Sequence, residues 1–244
     1  MAGKVRVGCS GWAYASWRPG FYPLKTPLKK LLEAYASRLN TVEVNYTFRS
    51  LPSASTAANW LAQSPSQFHF AFKAPQRITH IRRLVDAGEA LERFQLSLAP
   101  FAEAGRLGPV LFQLPPKFTA DPGRLRSFLD EAAPSRLQSA WEFRDASWFA
   151  EPVLKILADH GAVLCAAESD SLRSPDLALV AGLRVFRLRR SQYSTEELAA
   201  LAEHFSELAR GGADVYAFFM HEEAPDGPLR AAEVLAQIPQ ELRG

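Results

Sequence analysis

Cysteine is scarce in this chain of 244 residues: only Cys9 and Cys165 occur, far apart and each inside an apolar run. Two isolated cysteines provide neither a disulfide framework nor the close spacing of a structural zinc site. We therefore expect two buried, reduced thiols. Reduced thiols are typical of the cytoplasm, and that is the expected compartment.

Long apolar runs are also missing, since no stretch approaches the roughly 20 residues that a membrane-spanning helix needs. The sequence begins Met1-Ala2-Gly3-Lys4 and turns strand-like at Val5, without the apolar core or cleavage site of a secretory signal. We expect no membrane association.

An excess of one charge is lacking too: 28 Lys and Arg against 26 Asp and Glu give a net charge of +2. Any anion binding must therefore be local.

Several catalytic motifs do not occur. There is no G-x-S-x-G, Walker or H-E-x-x-H motif, and no G-x-G-x-x-G turn follows the first strand-like run. Serine hydrolysis, nucleotide hydrolysis, zinc proteolysis and dinucleotide binding thus receive no support. His221 lies beside Glu222 and Glu223, but no second histidine has a spacing that completes a metal site. We predict neither a metal nor a cofactor.

Eight short runs rich in Val, Phe and Leu recur along the chain at the length of buried parallel strands. They are Val5–Cys9, Thr41–Asn45, Phe68–Lys73, Pro109–Leu114, Ser139–Phe143, Ala162–Ala167, Arg184–Leu188 and Val215–Phe219.

Segments with helical spacing of apolar residues separate these runs. The predicted helices are Pro27–Leu39, Ser53–Gln63, Gly88–Ala104, Gly123–Ala133, Pro152–His160, Thr195–Arg210 and Pro228–Ile238. Ser194 and Glu197 form a capping signal for the helix from Thr195. Only the segment Ser169–Gly182 shows a weak helical pattern, and it has room for no more than a short helix. Strict alternation of strand and helix predicts an α/β protein, a single-domain (β/α)8 TIM barrel over residues 1–244, with a weak or short helix between strands six and seven.

Polar residues gather where the predicted strands end, which is the active face of such barrels. The two-residue period of a strand puts Glu43 with Asn45, and Glu142 with Arg144, on one face each. Arg187 and Arg189 share a face in the same way. Charges buried against the outer helices would cost several kcal/mol each, so we expect these side chains to point inward.

These positions suggest a division of roles. We predict Glu142 as the acid or base, with Glu43 and His80 as candidates for a second proton transfer. The cations are predicted to hold an anionic group of the substrate, because a guanidinium can bind a carboxylate or phosphate through two parallel N–H···O hydrogen bonds. The predicted substrate-binding residues are Lys73, Arg144, Arg187 and Arg189 for the anion, Asn45 and Gln113 for hydroxyl groups, and Trp12 and Ser10 in the first loop.

Two alternatives remain open at this point. Glu43, Glu142, Lys73 and Arg144 could neutralise one another as an ion network that fills the barrel and binds nothing. The aromatic residues of the first loop could stack on a ligand or simply plug the barrel; they are Trp12, Trp17, Phe21 and Tyr22.

Five blocks of the sequence, in order, resemble the family called domain of unknown function 72, the YecE-like proteins. The blocks are Gly8-Cys9-Ser10-Gly11-Trp12 with Phe21-Tyr22-Pro23; Asn40 to Asn45 with Phe48; Phe72-Lys73-Ala74-Pro75 with Thr79-His80; Leu111 to Pro116; and Glu142-Phe143-Arg144 with Ser147-Trp148-Phe149. The resemblance implies a TIM barrel, similar in shape to xylose isomerase and endonuclease IV barrels, but it implies no reaction.

This sequence departs from the family pattern at two places. Many members have a segment like Arg-x-His-Gly where this chain has Arg187-Leu188-Arg189-Arg190. The last block often resembles Tyr-Phe-Asn-Asn, where this chain has Phe218 to Glu222. Both departures fall in the predicted site, so details of a substrate do not transfer from relatives.

The leading functional prediction is an enzyme for a small anionic, oxygen-rich substrate, such as a sugar or phosphate derivative, with hydrolase, lyase and isomerase all open. The second is a nucleic-acid-binding or nucleic-acid-processing protein, suggested by the basic run from Arg77 to Arg83. The third is a barrel that binds a metabolite without catalysis. The sequence does not indicate the oligomeric state.

Overall fold

The protein is described by a computed structural model that covers residues 1–133, 137–168, 173–220 and 223–244. All eight predicted strand runs form strands. In the described residues these are β1 (Val5–Cys9), β2 (Thr41–Val44), β3 (His69–Lys73), β4 (Leu107–Gln113), β5 (Ser139–Glu142), β6 (Val163–Leu164), β7 (Ala166–Ala167), β8 (Leu183–Leu188) and β9 (Asp214–Phe219). The predicted sixth strand is divided into β6 and β7 at Cys165.

The seven predicted helices also form. They are α1 (Leu31–Ala36), α2 (Ala54–Ala62), α3 (Gly88–Glu103), α4 (Pro122–Ala132), α5 (Glu151–Asp159), α6 (Thr195–Arg210) and α7 (Asp226–Gln237). The first is shorter than predicted because a 3-10 turn, Leu28–Lys30, precedes it. Ser194 and Glu197 make the expected capping box on α6. Residues 173–182 contain no helix, and residues 169–172 of that connection lie outside the described part.

Every ladder between the strands is parallel, which confirms the predicted α/β class. The strand order is β2-β3-β4-β5-β6 in one sheet and β7-β8-β9-β1 in the other. Joined through Cys165, these sheets follow the strand order of a (β/α)8 barrel. The expectation of a fully closed barrel needs a correction, because no backbone ladder joins β1 to β2 among the described residues.

Side chains bridge the gap between β1 and β2. The Tyr35 hydroxyl accepts a hydrogen bond from the Cys9 N–H at 2.7 Å and donates one to the Thr41 carbonyl at 3.0 Å. The Asn40 amide oxygen accepts from a backbone N–H of β1 at 2.8 Å. A Cβ atom at Gly8 would lie 2.0 Å from the Thr41 oxygen, so only glycine allows the two backbones to approach this closely. This β1–β2 seam is thus bridged by Tyr35 of α1 and by Asn40, which lies between α1 and β2.

The interior enclosed by the strands has two layers. The lower layer is apolar and includes Ala71, Leu111, Ala140 and Val185. Two residues further along each of these strands, and therefore on the same face, stand Lys73, Gln113, Glu142 and Arg187. The polar layer accordingly lies above the apolar one, at the carboxyl ends of the strands.

No helix in the part of the chain that the structure describes is long and apolar enough to cross a membrane. Cys9 and Cys165 are free and buried, as predicted.

Candidate functional site

The centre of the polar layer is Arg187, clamped between two carboxylates. Its Nε and Nη2 donate to the two oxygens of Glu43 at 2.9 and 2.7 Å, and its Nη1 donates to Glu142 Oε2. The three residues are at most 2% exposed. Each of the three nitrogens of the Arg187 guanidinium thus donates a charge-assisted hydrogen bond to a carboxylate.

Both carboxylates are ionised at neutral pH. Burial by itself would raise the pKa of Glu43 and of Glu142, but the neighbouring guanidiniums outweigh burial and lower both. Burial opposes the charge of Arg187, and the two glutamates reverse that effect and raise its pKa. The three groups therefore stabilise one another's charges in a site closed to water.

A second cation, Arg189, lies above Glu43. Its Nη2 donates to the Ser10 hydroxyl at 2.9 Å and lies 3.5 Å from Glu43 Oε1. Ser10 in turn donates to Glu43 at 2.7 Å. Burial, together with the charge of Arg187, lowers the pKa of Arg189 to about 10. The Arg189 Nε is buried without a hydrogen-bond partner among the described residues, so one donor of this fork is unused.

The opposite side of the layer carries Lys73 and Arg144. Arg144 Nε donates to Glu142 Oε1 at 2.8 Å, with 39% of its side chain exposed. Gln113 connects the two cations, since it donates to the same Glu142 oxygen at 2.6 Å and accepts from Lys73 Nζ at 2.6 Å. Burial and the charge of Arg187 lower the pKa of Lys73 to about 8.

Together these residues form one connected group, which we call the mouth cluster: Ser10, Glu43, Lys73, Gln113, Glu142, Arg144, Arg187 and Arg189. Four of its members are cationic and two are carboxylates. The cluster therefore has an excess of positive charge, concentrated on the three partly exposed cations above Arg187.

His80 lies beside this cluster. It belongs to a single π-helical turn, Arg77–Ile81, a distortion that often accompanies functional sites. Its Nδ1 is 2.9 Å from the Thr79 hydroxyl, and its ring meets Phe48 edge-on at 4.9 Å. Burial and the charges of Lys73 and Arg144 lower the pKa of His80, so the imidazole is neutral at neutral pH.

Phe48 was not among the predicted site residues, although it contacts two of them. The Lys73 amine lies 4.2 Å from the centre of the Phe48 ring, whose edge faces His80. The sequence signals were its place in the second family-like block and its position a few residues beyond the end of β2. Neither assigns a role, because a single aromatic residue after a strand is too common to identify a site from sequence.

Asn45 and Trp12 lie at the rim. The Asn45 amide nitrogen is 3.5 Å from the Ser10 carbonyl oxygen, and its own buried oxygen has no partner among the described residues. Trp12 is half-buried and packs edge-on against Trp60 at 5.1 Å. The other aromatic residues of the first loop are buried in the main hydrophobic core, with at most 2% of each exposed: Trp17, Phe21 and Tyr22.

The structure describes all of the first segment that departs from the family pattern but only part of the second. Arg189 belongs to the mouth cluster, whereas Arg190 is exposed and pairs with Glu197 of α6 at 2.8 Å. His221 and Glu222 lie outside the described residues. Among the residues that are described, no three His, Cys, Asp or Glu side chains converge on a possible metal position. The prediction of a metal-free protein stays a prediction.

A separate groove of about 500 Å³ opens on the same end of the molecule. Its lining includes Arg49, Arg77 and Arg93, together with Glu89 and Thr47. The Thr47 hydroxyl donates to the Lys73 carbonyl at 2.7 Å, so the groove borders the mouth cluster. Within the described part of the chain, these three arginines form no salt bridge.

Comparison with known proteins places the chain among relatives without an assigned reaction. The family described as "Protein of unknown function DUF72" matches residues 6–243. The UPF0759 protein YunF of Bacillus subtilis is 30% identical over 154 residues, which are 61% of this chain and 53% of YunF. The UPF0759 protein YecE of Escherichia coli K12 is 30% identical over 58% of this chain and 44% of YecE. The matched part thus spans about half the length of these curated relatives.

Among solved structures, the fold is similar to that of a DUF72 family protein from Thermotoga maritima. The TM-score is 0.83 and the sequence identity 26%, over 95% of this chain and 97% of that one. The arrangement of strands and helices described above is therefore shared over essentially the whole length of both chains.

Proposed function

The chain belongs to the family described as protein of unknown function DUF72, and on that premise we propose that it is an enzyme for a small anionic, oxygen-rich substrate, sugar- or phosphate-like. The reaction we propose is acid–base chemistry at the carboxyl ends of the strands. One observation carries the proposal: the mouth cluster holds more cations than carboxylates, and its outermost cations are partly exposed. An anion from solution would complete its charge balance.

The anion contacts are assigned to the outer cations. In the described part of the chain, Arg189 donates only through Nη2, to Ser10 and Glu43, and Arg144 only through Nε, to Glu142. Both guanidiniums thus keep N–H groups for a carboxylate or phosphate, which a guanidinium can bind through two N–H groups at once. Arg187 is assigned a supporting role, because it is buried and each of its nitrogens already donates to Glu43 or Glu142.

Proton transfer is assigned to Lys73 and His80. A general acid or base works best when its pKa lies near the working pH. Glu142 and Glu43 have lowered pKa values and stay ionised, so neither donates a proton at neutral pH. Lys73, with a pKa of about 8, and neutral His80 are better matched. The two glutamates then set the charge of the site, which modifies the roles predicted from sequence.

Thermal unfolding with phosphate at constant ionic strength tests the anion site. A ligand at 100 times its Kd adds about 2.7 kcal/mol of stability, which is about 5–10 °C in Tm for a chain of this size. Arg189→Ala should greatly reduce this shift. Arg190→Ala is the matched control, since the Arg190 side chain pairs with Glu197 of α6 outside the mouth cluster, and this variant should retain the shift.

Two results would contradict the proposal: no phosphate shift in the unchanged protein, or equal shifts in both variants. Phosphate binding without turnover of any anionic metabolite would instead favour a barrel that binds without catalysis.

The arginine groove supports a second candidate function, nucleic-acid binding. Arg49, Arg77 and Arg93, which form no salt bridge with the described residues, offer three guanidiniums to a phosphate backbone. Binding of a fluorescent single-stranded DNA at about 150 mM salt tests it, because contacts to phosphates weaken steeply with salt. If this function is right, Arg77→Gln with Arg93→Gln should abolish binding and leave the phosphate shift at the mouth cluster intact.

A further inference from the structure

Lys73 differs from the other cations of the mouth cluster in what it contacts. Arg144, Arg187 and Arg189 each reach a glutamate within ion-pair distance. The Lys73 amine instead donates to the neutral amide of Gln113 at 2.6 Å. No carboxylate of the described residues forms a salt bridge with it.

The surroundings of this amine suit an uncharged nucleophile. The ring of Phe48, centred 4.2 Å from the amine, covers one side of it. Burial and the charge of Arg187 lower the pKa of the amine and outweigh the opposing charges of Glu43 and Glu142. Lys73 is half-buried at the end of β3, where a strand holds it rigidly. An amine that is desolvated and close to cations is the usual arrangement of an activated lysine.

We propose that Lys73 is a nucleophile that forms an imine with the carbonyl carbon of the substrate. The substrate class is then an aldehyde or ketone that also carries a carboxylate or phosphate. This inference rests on the proposed function, since Arg189 and Arg144 would hold the charged group while the amine meets the carbonyl. Lys73 then acts as the nucleophile, and proton transfer is left to His80.

The chemistry balances without an added oxidant or reductant. The lone pair of the neutral Lys73 amine attacks the carbonyl carbon, a C–N bond forms, and the C=O π bond breaks; a proton moves from the nitrogen to the oxygen to give a carbinolamine. A second proton, from solvent, lets that oxygen leave as water and leaves a protonated imine on Lys73. The imine is an electron sink, so a proton on the adjacent carbon becomes acidic. Neutral His80, which packs on the same Phe48 ring, is placed to accept it.

The population of neutral amine is adequate at physiological pH. Because the pKa of Lys73 is lowered to about 8, about one tenth of the molecules carry a neutral amine at pH 7. An ordinary exposed lysine has less than about one thousandth in that form. Adducts at Lys73 should therefore form at least about tenfold faster than at exposed lysines, after allowance for the lower nucleophilicity of a weaker base.

The test is reduction with sodium borohydride in the presence of dihydroxyacetone phosphate, and separately of pyruvate. Reduction of the imine leaves a stable secondary amine whose mass gain equals the carbonyl compound minus one oxygen atom. Peptide mass spectrometry then assigns the modified lysine. We expect Lys73 to be modified with one of these probes, with a rate that rises with pH around a midpoint near 8.

Two controls make the result specific. Lys155 is an exposed lysine paired with Asp159 at 2.8 Å and reports the background rate. Lys73→Arg keeps a cation but cannot form an imine, so it should lose the adduct. A cooperative thermal unfolding transition without phosphate shows that the variant is folded.

The outcomes separate this inference from the proposed function. If phosphate raises Tm but neither probe modifies Lys73 above the level of Lys155, the imine is wrong and the anion site stands. If phosphate has no effect on Tm, the proposed anion site is wrong, and the imine inference, which depends on that site, is wrong with it.

Discussion

Replacing Arg187 by methionine tests the central physical claim about this site. Methionine fills most of the same volume but leaves Glu43 and Glu142 without the cation that both contact. Removal of one partner from a buried ion pair typically costs about 3–5 kcal/mol, because the remaining charge is left uncompensated. Three charge-assisted hydrogen bonds are lost, which supports this range.

The remaining contacts limit the loss. Glu43 keeps Ser10 at 2.7 Å and Arg189 at 3.5 Å, while Glu142 keeps Arg144 and Gln113. We therefore expect the free energy of unfolding to fall by about 3–5 kcal/mol and not more, equivalent to a fall in Tm of about 6–20 °C for a chain of this length. Urea unfolding at pH 7 measures it directly.

The pH dependence identifies the cause. Without Arg187 the pKa values of Glu43 and Glu142 rise, so lowering the pH from 7 toward 5 should protonate them and shrink the difference between variant and unchanged protein. Adding Glu43→Gln and Glu142→Gln to the variant should recover much of the loss at pH 7. Arg210→Met is the control, because Arg210 pairs with Glu203 on the surface at 2.9 Å and should cost only about 0–1 kcal/mol. A loss below about 1 kcal/mol for Arg187→Met, or one that grows on acidification, would refute the reasoning.

Two further predictions concern stability. Tyr35→Phe removes the hydroxyl that bridges β1 and β2, and it should lower the free energy of unfolding by about 1–3 kcal/mol for each buried backbone group left unpaired. The control is Tyr46→Phe, at an exposed tyrosine. Equal urea midpoints for the two variants would contradict the role of the bridge. The lowered pKa of Glu142 means that its stabilisation is present above the ordinary carboxyl range and is lost as the pH falls through its folded value. Glu142→Gln should therefore unfold with a flatter acid dependence than the unchanged protein, and an equally steep acid dependence would contradict that assignment.

The sequence was sufficient for the order of strands and helices. Runs such as Val5–Cys9 and Thr195–Arg210 match the observed elements residue for residue, because apolar periodicity and capping act over a few neighbouring residues. The inward direction of Glu43, Glu142 and Arg187 followed from the two-residue period and the cost of burying charge elsewhere. The sequence could not predict how the barrel closes. At the β1–β2 seam, closure depends on hydrogen bonds between the Tyr35 hydroxyl and two backbone groups, one on each strand.

The sequence by itself also determined which residue types meet at the carboxyl ends of the strands, and so the excess of positive charge there. Only the tertiary structure decided how those charges pair. Glu142 looked like a free acid or base, but Arg187 from β8 and Arg144 hold it ionised. Lys73 looked like one anion-binding cation among four, and the pairing left its amine on a neutral amide. A pKa depends on burial and on charges from distant parts of the chain, which converge only when the strands are brought together.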